Sequence, residues 1–101
     1  MQKENLIKFC KNILIKLNMD SDKAHATSEI LVEADMMGHS THGVRLLPNY
    51  VSDIEKGIMN VNGNYKIISE KKSNVRIDGK LLPGIWLTQE GLKIGIDKAK
   101  D

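Results

Sequence analysis

One stretch of the chain decides how the fold is interpreted: Asp35-Met36-Met37-Gly38-His39-Ser40-Thr41-His42-Gly43-Val44-Arg45-Leu46-Leu47-Pro48-Asn49-Tyr50. Glycines break the helical pattern here, and imidazole, hydroxyl, guanidinium and phenol groups gather around the break. Backbone N–H groups at the start of a helix are free to face a ligand, and an imidazole titrates near neutral pH. This is more chemistry than a connection between helices needs, so the stretch is predicted to form part of an active site.

The sequence before this break predicts two amphipathic helices. From Glu4 to Leu17, apolar residues recur at the three- and four-residue spacing of a helix. A second apolar face runs from Ala24 to Ala34 and stops at Gly38, after turn and N-cap residues at 18–21. We expect the two helices to pack as a hairpin.

A third helix is predicted after the break. Pro48 should lie near its start, because proline is tolerated only in the first turn of a helix. Two starts fit the pattern: an earlier turn capped by Ser40 or Thr41, or a start at Leu47. Gly57 lies near the predicted end, and the residues expected to face inward are Leu47, Tyr50, Val51, Ile54 and Ile58.

The residue pattern changes from helical spacing to short extended runs after Gly63. Short β-branched runs at 66–69 and 74–78 predict a β-hairpin, and a final helix is expected to start near Thr88, beyond the break at Pro83-Gly84. Gly91 and Gly95 lie four residues apart in that helix and lower its helix propensity by about 1 kcal/mol each, a cost usually explained by close approach to another backbone.

The fold class that follows is α+β. A helical N-terminal segment is expected over 1–58 and the start of an incomplete α/β part over 59–101. The final residues carry no glycine, asparagine or proline stop signal, so we expect a truncated chain, the N-terminal part of a longer protein.

Composition excludes several classes of protein. Fifteen basic and thirteen acidic residues are interleaved, and only four residues are Phe, Trp or Tyr in the whole chain. Neither a basic stripe nor a base-stacking platform results, so nucleic-acid binding is disfavoured. Charged residues interrupt every apolar run near the start, and Cys10 is a lone cysteine, so we expect a cytoplasmic protein that does not bind membranes.

Among the candidate site residues, His42 could be a ligand to substrate or cofactor, a general acid, or a side chain that ties down a turn. Its neighbours favour the functional interpretation, because function is often carried by such loops. Thr41 can cap a helix and also point its hydroxyl at a ligand. His39 and His25 are predicted to be solvated surface residues. Together, His39, His42 and Asp35 provide too few spaced ligands for zinc, so no metal site is predicted.

Three more residues complete the candidate site. Arg45 has a planar guanidinium group that can donate two parallel hydrogen bonds to a carboxylate, although many exposed arginines only solvate a surface. Tyr50 falls on the apolar stripe of its helix, where packing with a tethered hydroxyl is the favoured interpretation. Gly43 allows close approach of the backbone, either to a ligand or to a neighbouring helix.

At these residues the chain resembles the malate/L-lactate dehydrogenase family, which also contains ureidoglycolate and sulfolactate dehydrogenases. The family pattern has Ala-Asp, then Gly, Ser/Thr-His-Gly-Val and Leu-Pro-x-Tyr. This chain matches it, in the same order and spacing, at Ala34-Asp35, Gly38, Thr41-His42-Gly43-Val44 and Leu47-Pro48-Asn49-Tyr50. The resemblance continues through Gly57, the Asp78-Gly79 turn and Gly84, and it covers nearly the whole chain.

The resemblance implies an oxidoreductase that uses NAD or NADP to interconvert a 2-hydroxy acid and a 2-oxo acid. It also implies a non-Rossmann fold and a homodimer. Thr41 and His42 would line the substrate end of the site as catalytic residues, with Arg45 and Tyr50 as substrate-binding residues. The family's arginine usually lies four residues after the histidine, where this chain has Leu46, and Ile85 stands where relatives often have Gln.

The principal acid/base histidine of the family and most cofactor contacts lie beyond Asp101, so the resemblance implies that the isolated 101 residues are inactive. The cofactor-binding residues are therefore unknown from this sequence. The alternative function is a small helical interaction module without catalysis, in which the helices present an apolar face to a partner.

Overall fold

The computed structural model of the chain describes residues 2–38 and 43–100. Within them the chain forms α1, α2, a 3-10 helix, α3, the strands β1 and β2, and α4, which confirms the predicted α+β class. Their bounds are Lys3–Lys16, Ser21–Met36, Val44–Leu46, Leu47–Glu55, Lys66–Lys71, Asn74–Asp78 and Gly84–Ala99.

The predicted hairpin of α1 and α2 contains the main core. Cys10 and Leu14 of α1 pack with Leu31 and Val32 of α2, and all four have no exposed surface. Leu47, at the start of α3, closes this core from the side. Since burial of each such side chain stabilises a fold by about 1.5–3 kcal/mol, this core anchors everything that follows.

Helices α1 and α3 end in the same way. Asn18 (φ +70°) and Gly57 (φ +75°) each follow the helix in the left-handed conformation. Their N–H groups, and those of the next residues, donate to carbonyl groups of the last turn, which is the Schellman arrangement. Gly57 therefore ends α3 as predicted, but Ile58 beyond it is 55% exposed, so its predicted inward position is wrong.

The start of α3 agrees with one of the two predicted alternatives. The helix begins at Leu47, with Pro48 in its first turn, where a missing N–H costs no hydrogen bond. The 3-10 helix over Val44–Leu46 precedes it, and the N-cap of that short helix is Gly43. Ser40 and Thr41, the predicted caps, lie outside the described residues.

A polar clamp fixes the start of α2. Asp20 occupies the N-cap position, yet its carboxylate makes no capping hydrogen bond to a backbone N–H group of the first turn. It accepts hydrogen bonds from Asn62 Nδ2 (2.7 Å), Gly63 N (3.1 Å) and Lys23 Nζ (3.0 Å). These three bonds hold the pKa of Asp20 below its usual value, with the Asn62 bond as the largest cause. The clamp joins α2 to the loop that leads from α3 to the hairpin.

The β-hairpin is antiparallel, as predicted, and pairs Lys71 with Asn74 around a two-residue turn. Every residue of β1 is exposed, including Ile68, at 60%. The hairpin contacts α4 through Lys98, whose Nζ donates to Glu70 Oε1 (3.1 Å) and to the carbonyl of Lys71 (2.8 Å).

Helix α4 begins at Gly84, four residues before the predicted start near Thr88. Pro83 is its N-cap residue and accepts the first backbone bond of the helix, from Leu87 N (3.0 Å). The Pro83-Gly84 pair thus starts the helix instead of separating it from the hairpin. The prediction that another backbone closely approaches Gly91 and Gly95 is also wrong for the described residues. A Cβ atom at either position would meet nothing within 4 Å.

Trp86 attaches α4 to α2. Its indole is buried with Ala26 and Leu82, and Lys23 places its ammonium nitrogen 4.1 Å from the ring centroid. Lys23 is only 3% exposed, a burial that a lysine tolerates here because the Asp20 carboxylate and the indole face both attract its charge.

No helix in the described parts of the chain has the length and apolar character needed to cross a membrane.

Candidate functional site

The central candidate residues lie between the two described ranges of the chain. His39, Thr41 and His42 lie outside the described residues, so their roles stay predictions. What the structure defines is the position of the two ends of segment 39–42, at Gly38 and Gly43.

Described residues on the two sides of segment 39–42 donate hydrogen bonds to the same residue, Asp35, in the last turn of α2. At one end, the N–H of Gly38 donates to the backbone carbonyl of Asp35 (3.0 Å), with Gly38 at φ +83°. At the other end, the N–H of Val44 donates to the carboxylate oxygen Oδ2 of Asp35 (3.2 Å). Gly38 and Val44, on the two sides of this segment, are therefore both attached to the C-terminal end of α2.

Gly43 packs directly against α2. It is buried, and a Cβ atom at this position would lie 1.8 Å from Asp35 Oδ1 and 3.1 Å from the carbonyl oxygen of Leu31. Its φ of −103° is open to any residue, so lack of space, not backbone conformation, requires glycine here. Of the two predicted reasons for this glycine, approach to a neighbouring helix is the one that the described contacts support.

Arg45 lies in the 3-10 helix next to this contact, with its side chain exposed. It makes no ion pair with any residue in the ranges 2–38 and 43–100. The guanidinium is therefore available to a carboxylate that approaches from solvent, as its predicted role requires, but the structure supplies no ligand contact for it.

Tyr50, in α3, is half-buried and packs against the main core. Burial, followed by the nearby negative charge of Asp53, raises the pKa of its phenol above the usual value. The phenol therefore stays protonated at neutral pH, so it suits a hydrogen bond to a ligand better than the role of a base.

A cavity of about 410 Å³ lies beside Tyr50. Its walls come from three helices and consist of Ile30 of α2, Tyr50 of α3 and, from the first turns of α4, Gly84, Ile85, Thr88 and Gln89. Tyr50 and Gly84 belong to two separate stretches of the family pattern, and the fold brings both to one cavity. The first N–H groups of a helix have no partner within it, so the α4 end of this cavity favours an anionic group.

The sequence did not identify three residues of this cavity. Ile30, Thr88 and Gln89 lie on helices whose relative placement depends on how Trp86 docks, which periodicity does not encode. Thr88 donates its hydroxyl to the carbonyl of Gly84 (2.9 Å), one turn earlier. Arg45 is absent from the lining of this cavity, so the fold does not join it to Tyr50 there.

The remaining candidates are surface features. His25 is exposed and pairs its Nε2 with Glu29 Oε2 at 3.0 Å, which matches its predicted surface position. A second cavity, of about 520 Å³, lies between the hairpin turn and the Gly91 and Gly95 face of α4. In the described ranges, no three His, Cys, Asp or Glu side chains come together as a metal site would require.

A family model described as malate/L-lactate dehydrogenase matches residues 1–101 of this sequence. The chain belongs to the malate/L-lactate dehydrogenase family. A curated family member, the malate/(S)-sulfolactate dehydrogenase of Methanothermus fervidus, is 35% identical over 89 residues, which are 88% of this chain and 26% of that protein.

Solved structures in the malate/L-lactate dehydrogenase family have the same fold over this length. The malate dehydrogenase of Pyrococcus horikoshii OT3 superimposes with a TM-score of 0.96 at 34% identity, and the sulfolactate dehydrogenase of Methanocaldococcus jannaschii with 0.96 at 29%. Each match covers 100% of this chain and 29% of the solved chain. The chain thus spans less than a third of the length of the family members that it matches.

The described residues of this family member do not contain the Rossmann arrangement of a strand, a glycine-rich turn and a helix. Their sheet is a two-stranded antiparallel hairpin, and no glycine-rich turn connects a parallel strand to a helix. The 410 Å³ cavity combines the Tyr50 phenol, the Thr88 hydroxyl and the Gln89 amide with apolar walls, a lining typical of small-molecule sites.

Proposed function

We propose that this chain is the N-terminal part of an oxidoreductase that transfers hydride between NAD or NADP and a small 2-hydroxy or 2-oxo acid. The observation that carries the proposal is the joining of two family stretches, at Tyr50 and Gly84, around one cavity, in a chain that the family model matches over its whole length. The names of the relatives support a hydroxy acid substrate of the malate, lactate or sulfolactate kind.

In this proposal the chain supplies one wall of the substrate site. His42 and Thr41 line the substrate end of the site as its catalytic residues, and Tyr50 donates from its neutral phenol. Arg45, which lies outside the lining of the Tyr50 cavity, grips a substrate carboxylate through two parallel hydrogen bonds. The nicotinamide supplies the hydride chemistry when it is bound. The chain's own contribution is to bind and orient the acid, because correct orientation can remove several kcal/mol of an activation barrier.

The finer features of the proposal concern the whole protein. We place most of the cofactor contacts outside this chain and on a non-Rossmann fold, with residues 1–58 as its helical segment and 59–101 as the start of an α/β part. The complete protein is proposed to be a cytoplasmic homodimer without nucleic-acid or membrane partners. Isolated residues 1–101 are expected to show no turnover.

The first test uses the protein expressed from its complete gene, with its intact mass measured alongside. NADH or NADPH is mixed with the 2-oxo acids that correspond to malate, lactate and sulfolactate, and oxidation of the cofactor is followed by absorbance. We expect turnover from the complete protein and none from residues 1–101 alone. Turnover by the isolated chain would contradict the division of the site, and a complete protein of about 11.3 kDa without turnover would contradict the enzyme itself.

Variants then test the site residues. His42→Ala and Thr41→Ala are expected to lower kcat, by roughly a hundredfold for the histidine, because losing a group that holds the substrate in its reactive geometry costs on that order. Arg45→Lys keeps the charge but loses the planar fork, so it should raise KM more than it lowers kcat. His25→Ala is the matched control, since this exposed histidine is paired only with Glu29. Equal losses for His25→Ala and His42→Ala would refute the assignment.

The interaction module is the competing function, and the exposed apolar side chains of the hairpin and α4 are the observation in its favour. It predicts a partner bound through Ile68 and Leu92 and no response of His42 to 2-oxo acids. We favour the dehydrogenase because two residues of the cavity, Tyr50 and Gly84, belong to the family pattern, whereas Ile68 and Leu92 are not among the residues quoted for it.

A further inference from the structure

Lys23 places a buried positive charge at the point where α2 meets α4. The residue is 3% exposed, and its ammonium nitrogen lies 4.1 Å from the centroid of the Trp86 ring. The same nitrogen lies 3.0 Å from Asp20 Oδ2 and 3.8 Å from Asp22 Oδ1. An ammonium group loses its water on burial, and a buried ion pair is often no more stabilising than apolar side chains of similar volume. Stability alone therefore does not explain a lysine at this position.

A cation above an aromatic ring fixes the position of its partner more closely than an apolar contact does. The ammonium group of Lys23 is attracted to the face of the Trp86 ring, while the carboxylate of Asp20 attracts it from another element of the polar clamp. A methionine of similar length would pack on the indole in several ways, because its thioether is flexible and makes adaptable contacts. Lys23 can therefore select one placement of α4 on α2, which is the best-attested use of a buried polar group.

The helices that Lys23 joins also form two walls of the 410 Å³ cavity. On α2, Lys23, Ala26 and Ile30 follow at spacings of three and four residues, which places them on one face of the helix. Ala26 packs with Trp86, and Ile30 lines the cavity. The cavity residues of α4 all lie within three residues of Trp86 in the sequence. A shift of Trp86 along α2 would therefore move the α4 wall relative to Ile30.

We propose that Lys23 is a positioning residue, which fixes α4 on α2 through Trp86 and thereby sets the shape of the 410 Å³ cavity. Lys23 is not among the described residues that line this cavity, so it acts on a ligand there only through the placement of α4. The effect on a substrate rests on the proposed function. The effect on the cavity does not, because it follows from the contacts between the two helices.

Three substitutions test this role in the protein expressed from its complete gene. Lys23→Met removes the charge and keeps an unbranched side chain. Lys23→Arg keeps a cation that can pair with a carboxylate and stack on the indole. Lys3→Met is the matched control, because the same change then removes a lysine that pairs with Glu33 at 3.6 Å on the surface.

Each variant is measured for its melting temperature, for kcat and KM with reduced cofactor and a 2-oxo acid, and for the methyl resonances of Ile85 by NMR. Ile85 belongs to the α4 wall, and its resonances are assigned with Ile85→Val. For Lys23→Met we expect a melting temperature that does not fall. Asp20 keeps its hydrogen bonds from Asn62 and Gly63, so the substitution leaves no buried charge without a partner.

The cavity should nevertheless change in Lys23→Met. The Ile85 resonances should broaden or double, because α4 is then free to take more than one placement on α2. KM should rise roughly tenfold while kcat stays within about threefold, since a displaced wall weakens binding of substrate and transition state alike. Lys23→Arg should restore a single set of Ile85 resonances and a KM within about threefold of the unmodified protein. Lys3→Met should change neither.

The outcomes separate the positioning role from the proposed function and from simple stability. If no 2-oxo acid is turned over, but Ile85 broadens in Lys23→Met and not in Lys23→Arg, the proposed function fails and the positioning role stands. Unchanged Ile85 resonances and an unchanged KM in Lys23→Met would overturn the inference. A Lys23→Met protein that melts at a lower temperature, or does not fold, would make Lys23 a stabilising residue only and would also overturn it.

Discussion

The helical part of the molecule, from α1 to α3, differs from the part formed by the hairpin and α4. In the first, side chains from two long helices close around a core with no exposed surface. In the second, β1 is exposed throughout and Trp86 is the buried residue of α4. The difference shows that Gly43 and Val44, which directly follow the proposed catalytic pair in the sequence, contact the firmly packed part, whereas the cavity beside Tyr50 needs both parts.

The largest expected effect contrasts one core leucine with one hairpin isoleucine. Leu14→Ala should lower the free energy of unfolding by about 2–5 kcal/mol, because it opens a cavity among fully buried side chains. Ile68→Ala, at a 60% exposed position, should change it by less than about 0.5 kcal/mol. Urea unfolding measures both. A cost at Ile68 equal to that at Leu14 would mean that the hairpin face is buried in the protein as measured.

The next effect tests the tight contact between the loop and α2. Gly43→Ala should destabilise the chain by about 1–3 kcal/mol, since the new methyl group must displace the carboxylate of Asp35. The double variant with Asp35→Ala removes the obstructing atoms and should cost less than the sum of the two single changes. Additive free energies of unfolding would show that the two residues do not meet.

In the part formed by the hairpin and α4, a similar substitution should change the free energy of unfolding in the opposite direction. Gly91→Ala adds a methyl group that meets no atom within 4 Å in the described structure, inside a helix. It should therefore raise the free energy of unfolding by about 0.4–1 kcal/mol, through the loss of backbone freedom in the unfolded state. Thermal unfolding of the variant measures this. Destabilisation would indicate that another backbone occupies that face of α4 in the measured protein.

The smallest effect concerns the polar clamp and its dependence on pH. The pKa of Asp20 is lowered in the folded state, first by the Asn62 hydrogen bond and then by Lys23, from an ordinary value of 3.8. The unfolded chain therefore binds the proton more readily, so the stabilisation is complete above that ordinary value and is lost as pH falls through the lower folded-state value. Asp20→Asn should make acid unfolding less steep, as followed by circular dichroism. Asp97→Asn, at an exposed site, should leave the slope unchanged.

Local patterns predicted much of this fold. The apolar spacing of α1 and α2 and the β-branched runs of the hairpin each encode an element within a few residues, and the structure confirms them. The predicted start of α4 near Thr88 is too late, because Pro83-Gly84 begins the helix: a proline can stand at a helix start, where the first N–H groups have no partner within the helix. Ile58 is exposed because α3 ends before it, and the spacing of the apolar residues alone does not mark that end.

The candidate site was less predictable, for a physical reason. Residue types and the family pattern identified Thr41, His42, Arg45 and Tyr50, of which the structure describes the last two. The contact of Asp35 with Val44 joins residues nine apart across a change of helix direction, and the cavity walls depend on how three helices pack. No spacing rule or helix propensity contains that information, because the Asp35–Val44 contact and the cavity both arise from tertiary packing.

Trp86 is the single tryptophan of the chain, and it lies where α4 meets α2 with the Lys23 ammonium 4.1 Å from its ring centroid. Its fluorescence is thus a built-in signal for one event, the docking of the exposed part of the molecule on the packed part. Separation of α4 would admit water to the indole and move its emission to longer wavelength, while the helical circular dichroism of α1 and α2 could remain. The two optical signals can therefore time the assembly of the cavity separately from the folding of the core.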